Sequence, residues 1–288
     1  MNKAHRNTIF VEDCRIIEHQ EHKGGQYIIK LQTKNIAKNT KSGQFVHISC
    51  GANILMRRPI SIMLADKQNN TIDLLYKVIG IGTKELSKHK VGGKINIMGP
   101  IGNKFELYKD KTMPLLIGGG VGMPPMIALS YEIKSNKNYK QMVILGSEQP
   151  FPFKVVTSKM KNNWCAKNGS INILEDLCIN TRLTSLQDYE KVNKGYVTDL
   201  ARKYLNSLSV ADKNKVIVYA CGPKPMLEAV HKLAKEYNLK CQVSLEEHMA
   251  CAVGGCAGCV VEINNKSKKQ MQRVCVDGPI FDSYSVFE

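Results

Sequence analysis

Four cysteines near the C-terminal end carry the clearest chemistry: Cys251, Cys256, Cys259 and Cys275, with spacers of 4, 2 and 15 residues. Three thiolates on one tight loop, with a fourth further on, is the spacing of plant-type 2Fe–2S ferredoxins. The small residues around them, Ala250, Ala252, Gly254, Gly255, Ala257 and Gly258, let the backbone approach a cluster and aim amide N–H groups at its sulfurs. A structural zinc on four cysteines is the alternative, although zinc sites favour paired Cys-x2–4-Cys knuckles and here the fourth cysteine stands alone. The other six cysteines are widely spaced, and Met1 to Val11 holds no apolar core of signal-peptide length, so a disulfide framework is not expected.

Two glycine segments could hold a nucleotide. Gly120-x-Gly122-x-x-Pro125 follows an apolar strand and opens a helix, which suits a pyrophosphate turn, although Pro125 stands where the Rossmann fingerprint has its third glycine. Cys221-Gly222-Pro223 repeats the design after a later strand. It could equally be only a strand end leading into a helix, with Cys221 a buried small hydrophobe. Glu246, Glu247 and His248 could be acid–base groups, but a supporting role beside the cysteine loop is the preferred reading.

The elements that must position these residues change character along the chain. From Thr8 to Phe105 the sequence has short β-rich runs, among them Tyr27–Leu31, Phe45–Ile48, Ile60–Leu64 and Thr71–Tyr76, punctuated by Gly, Asn and Ser turns. This pattern predicts a small antiparallel barrel. Beyond Met113, strands at Leu115–Ile117, Met142–Leu145 and Val216–Ala220 alternate with helical runs at Pro124–Lys134 and Met226–Tyr237, which predicts a parallel sheet. The expected domains are a barrel over 1–110, an α/β domain over 111–240 and a small Cys-rich domain over 241–288. The uncharged stretch Met113–Tyr131 reads as strand, glycine turn and helix start, because Gly118–Gly120, Gly122 and Pro124-Pro125 would break a membrane span. With no spanning segment, the expectation is a cytoplasmic protein.

The formal net charge is +16. Most of the basic residues are lysines scattered singly, and the densest group is Lys266, Lys268, Lys269 and Arg273. The preferred reading is a solvated, Lys-biased surface, then an acidic partner, then nucleic acid.

Taken in order, Arg57-Arg58-Pro59-Ile60-Ser61, Leu75-Tyr76-Lys77-Val78, Gly82-Thr83, Gly99-Pro100-Ile101-Gly102, the two glycine segments, Leu245–Cys251 and Arg273–Pro279 resemble one family. They are similar to the electron-transfer subunits of type B dihydroorotate dehydrogenase, within the ferredoxin-reductase superfamily, over about residues 8–285. The resemblance implies FAD in the barrel domain, on Arg58, Pro59, Ile60, Ser61, Leu75, Tyr76, Lys77, Gly82 and Thr83. The Arg58 guanidinium would pair with the pyrophosphate. It implies NAD on Gly120, Gly122, Pro125, Cys221, Gly222 and Pro223, with Cys221 a residue of the nicotinamide side. It also implies a 2Fe–2S cluster on the four cysteines.

Further implied are an FMN-containing catalytic subunit as partner, in a heterotetramer of two subunits of each kind, and electron flow from dihydroorotate through 2Fe–2S and FAD to NAD+ in pyrimidine biosynthesis. NAD rather than NADP is expected, since Gly146-Ser147-Glu148 ends a strand with an acid and no Arg, though Lys154 is near in sequence. There are departures: Ile60 stands where many ferredoxin reductases have Tyr, and the stretch from about Cys178 to Lys194 is longer than expected. Bifurcating ferredoxin:NADP reductase subunits look similar but tend to carry Asp at the position of Cys251. A stand-alone NAD(P)H:acceptor reductase and a zinc-stabilised basic binding protein are the rival readings.

Overall fold

The computed structural model describes residues 8–265 and 268–287. The chain forms two compact units, one made of the residues up to Lys104 together with Leu245–Ile280, the other of Phe105–Ser244 with the C-terminal residues from Phe281.

The first unit contains a closed antiparallel barrel of six strands in the order β1-β2-β5-β4-β3-β6. Its strands are β1 (Phe10–His22), β2 (Gln26–Gln32), β3 (Phe45–Ile48), β4 (Arg58–Asp66), β5 (Thr71–Lys77) and β6 (Lys94–Ile101). Alternating Ile, Leu and Val side chains fill the interior, among them Ile29, Leu31, Val46, Ile48, Ile62, Ile72, Leu74 and Ile97. Closure leaves the sheet no free edge. Two short helices, α1 (Ile36–Asn39) and α2 (Ile81–Leu86), sit in its connections. The sequence pattern missed the extent of β1, thirteen residues whose apolar alternation breaks where the pairing register shifts between Ile16 and Glu18.

The second unit is built on a parallel sheet. Its elements are β7 (Met113–Gly119), α3 (Met123–Lys134), β8 (Met142–Gly146), β9 (Val155–Thr157), β10 (Gly169–Ile171), α4 (Asn172–Glu175), β11 (Asn180–Ser185), β12 (Asn193–Lys194), α5 (Val197–Ser207), α6 (Val210–Lys213), β13 (Val216–Cys221), α7 (Lys224–Glu236) and β14 (Lys240–Ser244). Strands β7, β8, β11 and β13 are buried through most of their lengths, as a sheet covered on both faces requires. Back in the first unit, β15 (Val260–Asn265) and β16 (Lys268–Arg273) form a hairpin. β17 (Ile280–Asp282) and α8 (Ser283–Val286) follow, and the seven-stranded sheet runs β12-β11-β8-β7-β13-β14-β17, parallel from β12 to β14.

The uncharged stretch Met113–Tyr131 is β7, a glycine turn and most of α3, and no helix among the described residues is long and apolar enough to cross a membrane. The long 178–194 stretch supplies β11 and β12 at one edge of the sheet, and within it Arg182 is fully buried.

Candidate functional site

The cysteine loop is shaped by backbone before any metal is considered. Ala252, Gly254 and Ala257 all take positive φ, of 56°, 81° and 54°, which curls the chain and turns amides inward. The Cys256 amide donates to Cys251 Sγ at 3.4 Å, the Gly258 amide to Cys256 Sγ at 3.4 Å, and the Cys275 amide to Cys259 Sγ at 3.5 Å. Burial opposes ionisation of the Cys251 thiol, but the amides of Val253, Cys256 and Gly255 and the Cys256 thiol together bring it down to about 6. Cys275 is pushed up to about 12 by burial and then by the neighbouring Cys259.

The thiols thus stand as two pairs, Cys251 with Cys256 and Cys259 with Cys275. Among the described residues no three His, Cys, Asp or Glu side chains gather closely enough to close round a single ion. Two thiolate pairs match the donor set of a binuclear cluster, two ligands to each iron, better than one tetrahedral zinc. Arg273, whose role was not read from the sequence, braces the loop. It donates to the Gly254 carbonyl at 3.1 Å and pairs with Asp277 at 3.1 Å. The signal was present as an Arg and an Asp four apart, flanking Cys275. Glu246, Glu247 and His248 are all exposed.

On the barrel, Arg58 at the start of β4 lies over Gly82 in the first turn of α2. A Cβ on Gly82 would meet the guanidinium at 2.7 Å, so only glycine leaves the arginine its place. The guanidinium also donates to the Met56 and Arg57 carbonyls, at 2.6 and 3.1 Å. The Thr83 hydroxyl accepts from the Ile79 and Gly80 amides at 3.1 and 3.3 Å and so shapes the turn. Leu55, Met56, Ile79 and Ile81, beside Arg58 and Gly82 in sequence, are exposed. Pro59 and Ser61 are half-buried and Lys77 likewise, while Leu75 is buried.

Two of the residues expected at the flavin are buried in the barrel. Ile60 packs into the barrel core, and so does Tyr76. The Tyr76 ring stacks on Tyr27 at 5.3 Å, and its hydroxyl bonds to His19 Nε2 at 2.8 Å. Burial, and then Tyr27, raises the Tyr76 phenol far above its ordinary range.

In the second unit the two glycine segments meet. Parallel pairing sets Cys221 opposite Gly118, so both turns emerge at the same ends of β13 and β7. A side chain on Gly122 would run into the Cys221 carbonyl, whereas above Gly120, at φ +55°, there is open space. Met226, which the helical spacing put on the apolar face of its helix, touches both Gly119 and Gly222 from α7 and wedges the turns. Pro125 is buried in the first turn of α3, Cys221 is buried, and Pro223 is exposed. Ser147 is buried, while Glu148 and Lys154 are exposed. Of the basic group near the hairpin, Lys269 pairs with Glu262 and Arg273 with Asp277, and Lys266 lies outside the described residues.

Residues 246–287 match the family model of the iron–sulfur cluster binding domain of dihydroorotate dehydrogenase B, and residues 116–232 that of the oxidoreductase NAD-binding domain. The dihydroorotate dehydrogenase B (NAD(+)) electron transfer subunit of Caldanaerobacter subterraneus subsp. tengcongensis is 34% identical over 85% of this chain and 86% of its own. That of a Geobacillus species is 32% identical over 96% and 98%. Among solved structures, one of an NADH-dependent reduced ferredoxin-NADP oxidoreductase superposes with a TM-score of 0.77 at 24% identity, covering 95% of this chain and 89% of that one. A ferredoxin reductase of carbazole 1,9a-dioxygenase gives 0.62 at 16%, over 80% and 67%, a likeness of fold. The chain belongs to the family of dihydroorotate dehydrogenase B (NAD(+)) electron transfer subunits, oxidoreductase components with an iron–sulfur domain and an NAD-binding domain.

Proposed function

We propose that this chain passes electrons from an FMN-containing subunit that oxidises dihydroorotate to NAD+, with a 2Fe–2S cluster and FAD as its carriers, in pyrimidine biosynthesis. The reading includes a heterotetramer of two subunits of each kind, in the cytoplasm. The observation that carries it is the pairing of the four thiols, Cys251 with Cys256 and Cys259 with Cys275, in a loop with inward-turned amides.

When bound, FAD exchanges a hydride with a nicotinamide and single electrons with an iron–sulfur centre, which lets a two-electron carrier meet a one-electron one. The chain's residues bind and orient. Cys251, Cys256, Cys259 and Cys275 supply the thiolates, and the amides of Cys256, Gly258 and Cys275 donate to sulfur. Such donation stabilises the more negative, reduced state of a cluster. Arg58, which pairs with no carboxylate among the described residues, would hold the flavin pyrophosphate with its guanidinium. The apolar Leu55, Met56, Ile79 and Ile81 beside it suit the cover of an aromatic cofactor or a subunit face. Gly120 and Gly122 open the turn for the dinucleotide, with Cys221-Gly222-Pro223 along its nicotinamide side. Glu148, with no arginine near it in sequence, favours NAD.

The test is an anaerobic purification with iron, acid-labile sulfide and flavin analysis and an EPR spectrum after reduction. The expected result is two irons, two sulfides and one FAD per chain, with a rhombic 2Fe–2S signal. Zinc in place of iron, with no flavin after reconstitution, would overturn the proposal.

A further inference from the structure

The barrel strand β3 presents its side chains alternately. Val46 and Ile48 belong to the barrel core, so Phe45 and His47 project from the outer face. Side chains there would ordinarily be wet, yet His47 is 1% exposed and Phe45 4%. The Cys-rich segment of the same unit covers them. The Met249 backbone lies beside the His47 ring, and Pro279 and Phe45 both close on Gly102.

His47 is also gripped from the flavin side. Arg57, the residue before Arg58, donates to the His47 carbonyl at 3.2 Å and to the Asn96 carbonyl at 3.1 Å. The imidazole is therefore flanked by the peptide leading to Arg58 and by the peptide two residues ahead of Cys251. Burial first, then Arg57, lowers its pKa to about 4, with the Met249 and Arg57 backbones only partly offsetting this. At neutral pH the ring thus offers one N–H and one lone pair. The Met249 and Arg57 backbones face the ring, but neither nitrogen makes a hydrogen bond of good geometry to them. A buried polar group in that condition is costly and calls for a partner.

We propose that His47 is a positioning residue that fastens the cluster loop to the flavin barrel, its ring N–H donated to the Met249 backbone when the four cysteines hold their cluster. Glutamine could keep such a bond from its amide; phenylalanine keeps the ring shape and loses it. The inference rests on the reading of the four cysteines as cluster ligands.

The test compares wild type, His47→Phe and His47→Gln in the holoprotein. The readouts are FAD content, the cluster EPR spectrum and midpoint potential, and the rate of iron release to a chelator. In His47→Phe, FAD content should stay at the wild-type level. The cluster potential and line shape should shift, and iron should be released about tenfold faster, the scale of one lost hydrogen bond. His47→Gln should return both toward wild type. Wild-type potential and release in His47→Phe, or a His47→Gln protein as impaired as His47→Phe, would overturn the proposal. Hydrogen exchange over residues 245–256 reads the fastening separately: it should be faster in His47→Phe and restored in His47→Gln. A chain that takes up no iron in any variant would defeat the cluster reading on which the proposal rests, whereas unchanged exchange in an iron-loaded His47→Phe would defeat the fastening alone.

Discussion

The guanidinium of Arg58 keeps its place because Gly82 has no side chain, and a methyl there would meet it at 2.7 Å. Gly82→Ala should therefore weaken FAD binding about tenfold and Arg58→Ala by ~10–100-fold, the range for a charge-assisted contact, measured by flavin fluorescence on dilution. Unchanged affinity in both variants would remove this arginine from the flavin site. At the cysteines, Cys256→Ser should lose most of the iron and sulfide, because Cys256 both pairs with Cys251 and receives the Gly258 amide. Serine at the exposed Cys178 should leave both at wild-type levels. These residues stood out in the sequence because metal ligation and phosphate binding would impose short, local spacings. The roles of Arg273, Met226 and His47 did not, since these depend on which distant backbone they touch. Tyr76 shows the converse. Its motif stood out in the sequence, whereas its contacts did not: the strand's alternation turns the ring into the barrel, against His19 and Tyr27.

Elements carry the next level of constraint. The pairing of β7 with β13 brings Gly122 against the Cys221 carbonyl, so Gly122→Ala must part the two turns. The expected outcome is a rise of about tenfold or more in KM for NADH, with the cluster spectrum unchanged, since the strain falls in the nucleotide unit. A normal KM would separate these turns from the nucleotide. The element β3 predicts a pH effect through His47, whose folded pKa of about 4 lies below the ordinary 6.5. The unfolded chain binds the proton more readily between those values. This group's contribution is thus present above pH 6.5 and is lost as pH falls toward 4, on the order of 3 kcal/mol. Denaturant unfolding across that window should show a shallower loss in His47→Phe than in wild type; parallel curves would contradict the assignment. Helix α5 escaped the sequence reading although Val197, Leu200, Ala201, Tyr204 and Leu205 form a buried stripe. It directly follows the 178–194 stretch, whose short β11 and β12 mix buried polar residues with apolar ones and give no clear period.

At the scale of the whole molecule, the order of barrel, parallel sheet and Cys-rich segment could be read from changes in periodicity and composition. Less legible was that the Cys-rich segment shares one compact unit with the barrel, because contacts such as Asn103 with the Asp277 and Ile280 carbonyls join residues far apart in sequence. The proposed partnership predicts that mixing the holoprotein with an FMN-containing dihydroorotate-oxidising subunit yields dihydroorotate-dependent NADH formation. Cys256→Ser should abolish that activity while leaving NADH oxidation by artificial two-electron acceptors. The most direct test of the electron-transfer account is an anaerobic titration of the purified chain with NADH, followed by visible absorbance and EPR. The account predicts that the flavin bleaches and the 2Fe–2S signal grows with added NADH, using NADPH far less well. A cluster that stays oxidised under NADH while dithionite reduces it would contradict the account.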